Sequence, residues 1–383
     1  MSTPSLPPDS TPLAAPVKAA FPSRWRWPIR LLSLLVVGSL VLALGGWQVW
    51  RQAIQPIGGS DPVSVVIAPG TASRQIGRQL RDAGVIRSYW AWNLWTRTLA
   101  RDWVFQAGTY DIDPQADMVA IAQQLREGQS RQIKITIPEG WRIEQMASYL
   151  AAANDIPASE FQGATRTIPR AHFPWLPPSL SNLEGYLFPE TYVFAADLFA
   201  ESVSDANKAN TLIQAMLQQF AQIAYPRYQA KQASSNPSPL SLHEWVTLAS
   251  IVEKEAVIAE ERPLIAGVFS NRLRQGIPLG ADPTVEYALG IRQTPDRRLT
   301  YAEVQKPSPY NTYLNAGLPP GPIASPGLAS LLATLDPATT DYLYFVARYD
   351  GSHVFSKTLA QHEAAQRQIL QNRQQNRQPS PPP

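Results

Sequence analysis

The sequence predicts an α+β chain with an N-terminal transmembrane helix, a small strand-and-helix module, and a mainly helical domain carrying a β-hairpin. Three observations predict it. Residues 28–50 form an apolar run with one charge, Arg30, near its edge. A strand, turn and helix pattern at 66–86 recurs at 136–156. Beyond residue 159 apolar residues recur mostly at helical spacing, until YLYFVARYDGSHVFS places Asp350-Gly351 between two apolar runs, which signals a hairpin with a tight turn.

The first 27 residues are rich in Pro, Ser and Ala and bury no core, so they are read as a disordered cytoplasmic tail. The run 28–50 is long enough to cross a bilayer core of roughly 30 Å as a helix. Trp25 and Trp27 before it, and Trp47 and Trp50 at its far end, suit the membrane interface. Lys18, Arg24, Arg26 and Arg30 precede the span and Arg51 follows it, so the positive-inside bias keeps the N-terminus in the cytoplasm and exports the rest. A cleaved signal peptide is the alternative, but its apolar stretch is usually about 7 to 15 residues.

In the repeat, Gly70 aligns with Gly140, Ile76 with Met146, Leu80 with Leu150 and Ile86 with Ile156. A looser third copy spans Thr109 to Gly128. Residues 61–158 are therefore read as one module, either lying along a polymer or serving as a packed scaffold. From Ser159 to Phe194 the chain is crowded with Pro and aromatic residues and reads as a structured entry loop. Helical patterns follow at Lys208–Ala224, Ser241–Ala259 and Arg262–Gln275, with further helices from about Pro326 and over Leu359–Gln371. The Gln-, Arg- and Pro-rich tail 372–383 is read as disordered.

Composition narrows the chemistry. With 33 basic and 30 acidic residues and no long basic stripe, nucleic acid is not an expected partner. There is no cysteine, which excludes disulfides and thiolate metal sites. His243-Glu244 begins like a zinc-protease helix but position 247 is Thr, and His172, His353 and His362 lack ligand spacing, so no metal or cofactor is expected. No Ser lies three residues before a Lys, and no nucleophile-elbow motif or Gly-rich phosphate loop occurs.

Carboxylates remain. In LSLHEWVTLASIVEKEAVIAEER the positions Trp245, Leu248, Val252, Glu255 and Ala259 share one helical face, which sets the Glu255 carboxyl on an apolar seam. Desolvation there raises its pKa, as a general acid at neutral pH requires. The other reading is that Glu255 marks where the seam meets solvent. Glu184, Glu190 and Asp282 are candidates for a second carboxylate. Asn271 and Asn311 are candidates to hydrogen-bond acetamido or hydroxyl groups, and Tyr186, Tyr310 and Tyr313 to stack on sugar faces; capping or loop bracing is the competing role for each. Asp282-Pro283-Thr284 reads as a helix N-cap followed by Pro. Gly317, Pro319, Pro320 and Gly321 are assigned to the shape of a groove wall.

Five ordered motifs, LEGYLFPETY, LASIVEKEA, VFSNRLRQGIPLGADPTVEYALG, SPYNTYLNAGLPPGPIASPG and DYLYFVA, resemble the endolytic murein transglycosylase (MltG, or YceG-like) family over roughly residues 60 to 365. The resemblance implies a LysM-like module ahead of a catalytic domain at 159–371, and it makes the second Glu of E-K-E, here Glu255, catalytic. It also implies cleavage of the β-1,4 bond between N-acetylmuramic acid and N-acetylglucosamine inside peptidoglycan strands, leaving 1,6-anhydromuramyl ends, beside peptidoglycan synthases and at the inner membrane. A muramidase that uses water and a non-catalytic peptidoglycan-binding scaffold are the alternatives.

Overall fold

The computed structural model describes residues 26–377 except 129, 295, 296 and 349; for 26–31 and 375–377 it describes the helical backbone alone. The tail before Arg26 and residues 378–383 lie outside the described residues. The fold is mixed α+β and mostly helical, with three two-stranded antiparallel sheets among the described residues. The chain divides into two compact units, residues 1–130 and 131–383.

The first unit opens with the apolar helix α1 (Arg26–Ile54), whose stretch Leu32–Ile54 is long and apolar enough to cross a membrane. Next come β1 (Val63–Ile67), α2 (Ser73–Asp82), α3 (Tyr89–Thr98), β2 (Gly108–Ile112) and α4 (Met118–Glu127). β1 pairs antiparallel with β2, Val63 opposite Ile112 and Ile67 opposite Gly108. The alternation of apolar residues turns Val65, Ile67, Tyr110 and Ile112 inward, onto Ile76, Leu80, Trp92 and Ile121 from the helices. The Asp117 carboxylate accepts the Ala120 N–H at 2.7 Å to start α4, and Gly128, at φ +69°, ends it.

The second unit begins with β3 (Gln132–Thr136), α5 (Ile143–Ala153) and α6 (Ala158–Thr165), followed by β4 (Thr191–Ala195), α7 (Asp205–Ile223) and α8 (Tyr225–Gln232). Then come α9 (Leu242–Glu255), α10 (Arg262–Gln275), α11 (Asp282–Leu289), α12 (Tyr301–Val304) and α13 (Leu328–Leu335). The hairpin β5 (Tyr344–Ala347) and β6 (His353–Ser356) precedes the last helix, α14 (Leu359–Arg377).

Each copy of the repeat is a strand, a turn and a helix. Gly70 and Gly140 share the left-handed conformation, at φ +76° and +72°, and Ile76, Met146, Leu80, Leu150, Ile86 and Ile156 are all buried. The division after Ser130 differs from the boundary placed at 158/159, because β3 pairs with β4, and Ile135, Met146 and Leu150 share a core with Phe161, Leu212 and Phe220. The aromatic stretch expected as a structured loop has no regular helix or strand from 166 to 190, between α6 and β4, but its large side chains fill the core. Trp175 stacks on Phe220 with centroids 5.2 Å apart, and Leu183, Tyr186 and Leu187 are fully buried in that core.

Helix α9 is the axis of the second unit. Ser241 and Glu244 form a capping box, in which the Glu244 carboxylate accepts the Ser241 N–H at 2.8 Å and the Ser241 hydroxyl accepts the Glu244 N–H at 3.3 Å. Trp245, Val246 and Ala249 pack into the core that holds Tyr186 and Phe220, while Leu248, Ile251 and Val252 pack into a second one with Phe269, Leu279 and Ile323. Trp245 is fully buried and donates its indole N–H to the Leu331 carbonyl at 2.9 Å. Removing such a side chain costs about 3–5 kcal/mol. The helix stops at Glu255, where Ala256 turns extended at ψ +117°, so Ala259 falls outside it and the expected seam is one position shorter.

Two further expectations change. Residues 348–352 join the hairpin strands, with the Asp350 carboxylate accepting the Ser352 N–H at 2.9 Å and Gly351 at φ +93°, a longer connection than a two-residue turn. Helix α14 runs on to Arg377 rather than ending at Gln371, since Gln, Asn and Arg fill its last turns without a Pro.

Candidate active site

The E-K-E triplet, Glu253 to Glu255, sits at the end of α9, where successive residues diverge by about 100°. Glu253 turns to α13: its Oε2 accepts the Gly327 N–H at 3.1 Å and the Ser330 hydroxyl at 2.6 Å. Lys254 donates to the Gly140 carbonyl at 3.3 Å. Glu255 is left facing a cavity of about 520 Å³, which it lines with Arg272, Asp282, Tyr313, Tyr344 and His353. Among the described residues no hydrogen bond or ion pair reaches its carboxyl. Burial chiefly, with the charges of Asp282 and Glu286 added, pushes the Glu255 pKa up to about 8. The group is therefore protonated at neutral pH.

Asp282 stands at the first turn of α11 but does not cap it; Ala281 is the capping position and makes no side-chain bond. Its carboxylate is instead held from both sides, accepting the Tyr313 hydroxyl at 2.6 Å and the Gln293 amide at 3.0 Å. The long loop before α13 brings Tyr313 there. Asn311 fixes that loop by donating to the Val304 and Lys306 carbonyls at 2.8 and 2.9 Å and accepting the Tyr313 N–H at 3.0 Å. Burial and the Asp282 charge hold the Tyr313 phenol well above its ordinary range, so it remains a donor.

The other sequence candidates lie elsewhere. Glu184 is buried at a second cavity of about 460 Å³ with Arg142, Arg166 and Tyr287, and accepts the Ile143 N–H at the start of α5 at 3.1 Å. Burial raises its pKa to about 7 against that hydrogen bond and the Arg142 charge. The ring of Tyr310 lies 4.8 Å from that of Tyr287. Tyr186 is in the core, its hydroxyl 3.0 Å from His243 Nδ1. Glu190 is exposed beside β4, where its Oε1 accepts the Thr191 N–H at 2.9 Å. Asn271 uses its whole amide internally, donating to the Thr340 and Tyr342 carbonyls and accepting from Arg274. Its polar atoms brace the approach to the hairpin.

Sequence reasoning did not place Arg272, Tyr344, His353 or His362 at the cavity wall, among others. Arg272 donates to the Leu343, Pro278 and Leu279 carbonyls and lies over the Tyr344 ring at 5.0 Å, tying the hairpin to the loop before α11. His353 makes a bidentate contact with Glu261, its Nδ1 2.6 Å from Oε2 and its backbone N–H 3.0 Å from Oε1. His362, from α14, stacks on Tyr344, and burial, with the Arg272 charge added, lowers its pKa. His362 was expected only as part of the last helix, and spacing within one helix says nothing about a hairpin packed against it.

Known proteins resemble the chain over most of its length. The YceG-like family matches residues 65–368. A Bacillus subtilis endolytic murein transglycosylase is 31% identical over 87% of this chain and 92% of its own length. A Streptococcus pneumoniae protein of the same name is 29% identical over 85% of this chain, which spans 62% of that longer relative. The crystal structure of a YceG-like protein from Listeria monocytogenes superposes with a TM-score of 0.52 at 32% identity, covering 80% of this chain and all of that one. With the motifs, the helical site and the match over most of its length in agreement, the chain belongs to the YceG-like family.

Proposed function

We propose that this protein is an endolytic lytic transglycosylase that cleaves the β-1,4 bond between N-acetylmuramic acid and N-acetylglucosamine inside peptidoglycan strands, with Glu255 as both acid and base. The observation that carries the reading is the unpartnered, desolvated carboxyl of Glu255, raised to about pKa 8 in a cavity large enough for sugar rings. Two relatives bear the name endolytic murein transglycosylase.

The chemistry follows from the proton. Protonated Glu255 donates to the glycosidic oxygen as the C1–O bond breaks, and the carboxylate so formed takes the proton of the muramyl C6 hydroxyl as that oxygen closes on C1. The products are a free N-acetylglucosamine 4-hydroxyl and a 1,6-anhydromuramyl end, and no water is consumed. Charge develops on the sugar ring as the bond breaks. Asp282, held by Tyr313 and Gln293, puts negative charge beside that ring. Tyr313 and Tyr344 give the cavity aromatic walls suited to sugar faces.

The same reading places α1 across the inner membrane, N-terminus inside, which the apolar stretch Leu32–Ile54 and the basic residues before it support. The first unit then serves as the LysM-like module, and the enzyme limits glycan length beside peptidoglycan synthases. The test is digestion of purified peptidoglycan by the detergent-solubilised chain and by Glu255→Gln, with mass spectrometry of the new ends. Anhydromuramyl ends from the parent alone support the assignment; reducing ends make it a hydrolase, and unchanged cleavage by the variant removes Glu255 from the mechanism.

A further inference from the structure

Helix α3 in the first unit is amphipathic in an unusual sense. Ala91, Trp92, Trp95 and Thr96 are buried on one side, while the opposite side presents Trp90, 78% exposed, and Leu94, 55% exposed, one turn apart, followed by Arg97 in the last turn and by the exposed Arg101 in the turn after the helix. No hydrogen bond or ion pair engages either guanidinium among the described residues. Leu99 and Val104, just beyond the helix, are exposed as well. A large indole and a leucine left in water beside two free cations is the composition of a surface that enters the headgroup layer of a bilayer.

Its position in the unit points the same way. Helix α1 touches α3, and Trp50, Ala53 and Ile54 at the end of α1 pack into the core that holds Trp92 and Trp95. The segment after α1 is tied down rather than free: Arg87, just before α3, donates to the Pro56 carbonyl at 3.0 and 2.7 Å, and the Gly58 N–H donates to the Pro114 carbonyl at 3.0 Å. The core of a bilayer takes about 20 helical residues. A span starting at Leu32 therefore leaves the hydrocarbon close to Trp50, the level at which α1 meets the module. α3 is thus held at the membrane surface with no flexible linker between.

We propose that the exposed face of α3, Trp90 and Leu94 with Arg97, together with Arg101 in the turn that follows, is a second membrane contact that inserts into the headgroup layer of an anionic bilayer and fixes the tilt of the first unit. The inference rests on the reading of α1 as a membrane span. Tryptophan and arginine divide the work: the indole and Leu94 fill the boundary between headgroups and acyl chains, and the guanidinium groups pair with lipid phosphates.

The chain has no cysteine, so single reporters can be placed in the full-length protein. Leu42→Cys, Leu94→Cys and Trp90→Cys, each at an exposed position, are labelled with an environment-sensitive fluorophore in vesicles of phosphatidylethanolamine and phosphatidylglycerol. Lipids spin-labelled at the headgroup or deep in the chain, and aqueous iodide, serve as quenchers. The expected result is deep quenching at Leu42 and, at Leu94 and Trp90, quenching by headgroup-labelled lipid at least about twofold stronger than by iodide. Charge reversal at Arg97 and Arg101 then weakens the Leu94 signal. Leu42 quenched by lipid with Leu94 and Trp90 open to iodide overturns the proposal. Leu42 unquenched by lipid overturns the membrane reading of α1 and this inference with it.

Discussion

The Tyr313 hydroxyl donates to the Asp282 carboxylate at 2.6 Å and so joins the long loop before α13 to the first turn of α11, on the wall that Glu255 faces. Two carboxyl groups share one cavity in different surroundings. One is held by two donors, and the other has none and is desolvated. That desolvation is what keeps a proton on Glu255 at neutral pH.

Replacing Glu255 by Gln keeps the shape of the group and removes its proton transfer. Turnover on purified peptidoglycan falls by about 10²–10⁴-fold, the range for loss of a general acid and base, while the circular dichroism spectrum stays that of the parent. A loss of helical signal in the variant would assign the residue to the fold instead.

The pH profile reports the same proton. As the proposed acid Glu255 acts in its protonated form, so activity is expected to decline as pH rises through about 8. Asp282→Asn removes one charge that raises this pKa, and the alkaline limb moves to lower pH by about 1 unit, alongside a drop in rate. An unshifted limb would separate Asp282 from Glu255 electrostatically.

Stability follows with a definite sign. The ordinary Glu value is 4.5 and the folded one about 8, so the native state holds a proton that the unfolded chain has released. That contribution is complete below about pH 4.5 and is lost as pH rises through 8. Thermal denaturation should find Glu255→Gln and the parent alike near pH 5, with the variant more stable near pH 9 by about 2 kcal/mol, a figure set below the full shift because the carboxyl faces an open cavity.

Asn311 is a brace and not a sugar ligand in this geometry. Asn311→Ala removes two part-buried hydrogen bonds, to the Val304 and Lys306 carbonyls, and costs about 1–3 kcal/mol in chemical denaturation. Because the loop carries Tyr313, KM rises as well; Asn311→Asp, which keeps the acceptor for the Tyr313 N–H, recovers part of the KM change but little of the stability.

Glu253 differs from Glu255 two residues on. Glu253→Gln weakens its grip on the N-terminus of α13, through Gly327 and Ser330, and its pairing with Arg262 at 4.0 Å. A stability loss of about 1–2 kcal/mol is expected, with the alkaline limb of the pH profile unmoved. A shifted limb would place Glu253 in the proton transfer.

Much was legible because it is local. Ser241 and Glu244 announce the start of α9, paired glycines at 70 and 140 announce the two turns, and Trp245, Leu248 and Val252 announce a buried seam that carries Glu255 at its end. These depend on helical pitch, capping and the left-handed region that glycine enters freely, all properties of a few consecutive residues. What tertiary structure decided was partnership. Whether Asp282 caps a helix or faces a cavity depends on Tyr313, 31 positions away, and on Gln293, 11 away. Whether Asn271 meets a sugar or the backbone depends on where residues 340–342 return to α10. His353 reaches the cavity because Glu261, 92 residues earlier, grips the hairpin. By itself the sequence determined which helix carries Glu255 at the end of an apolar face, since periodicity writes that face into the chain. The tertiary structure alone decided which polar groups remain free to meet a substrate, because a buried donor or acceptor is claimed by whatever partner the packing brings within about 3 Å.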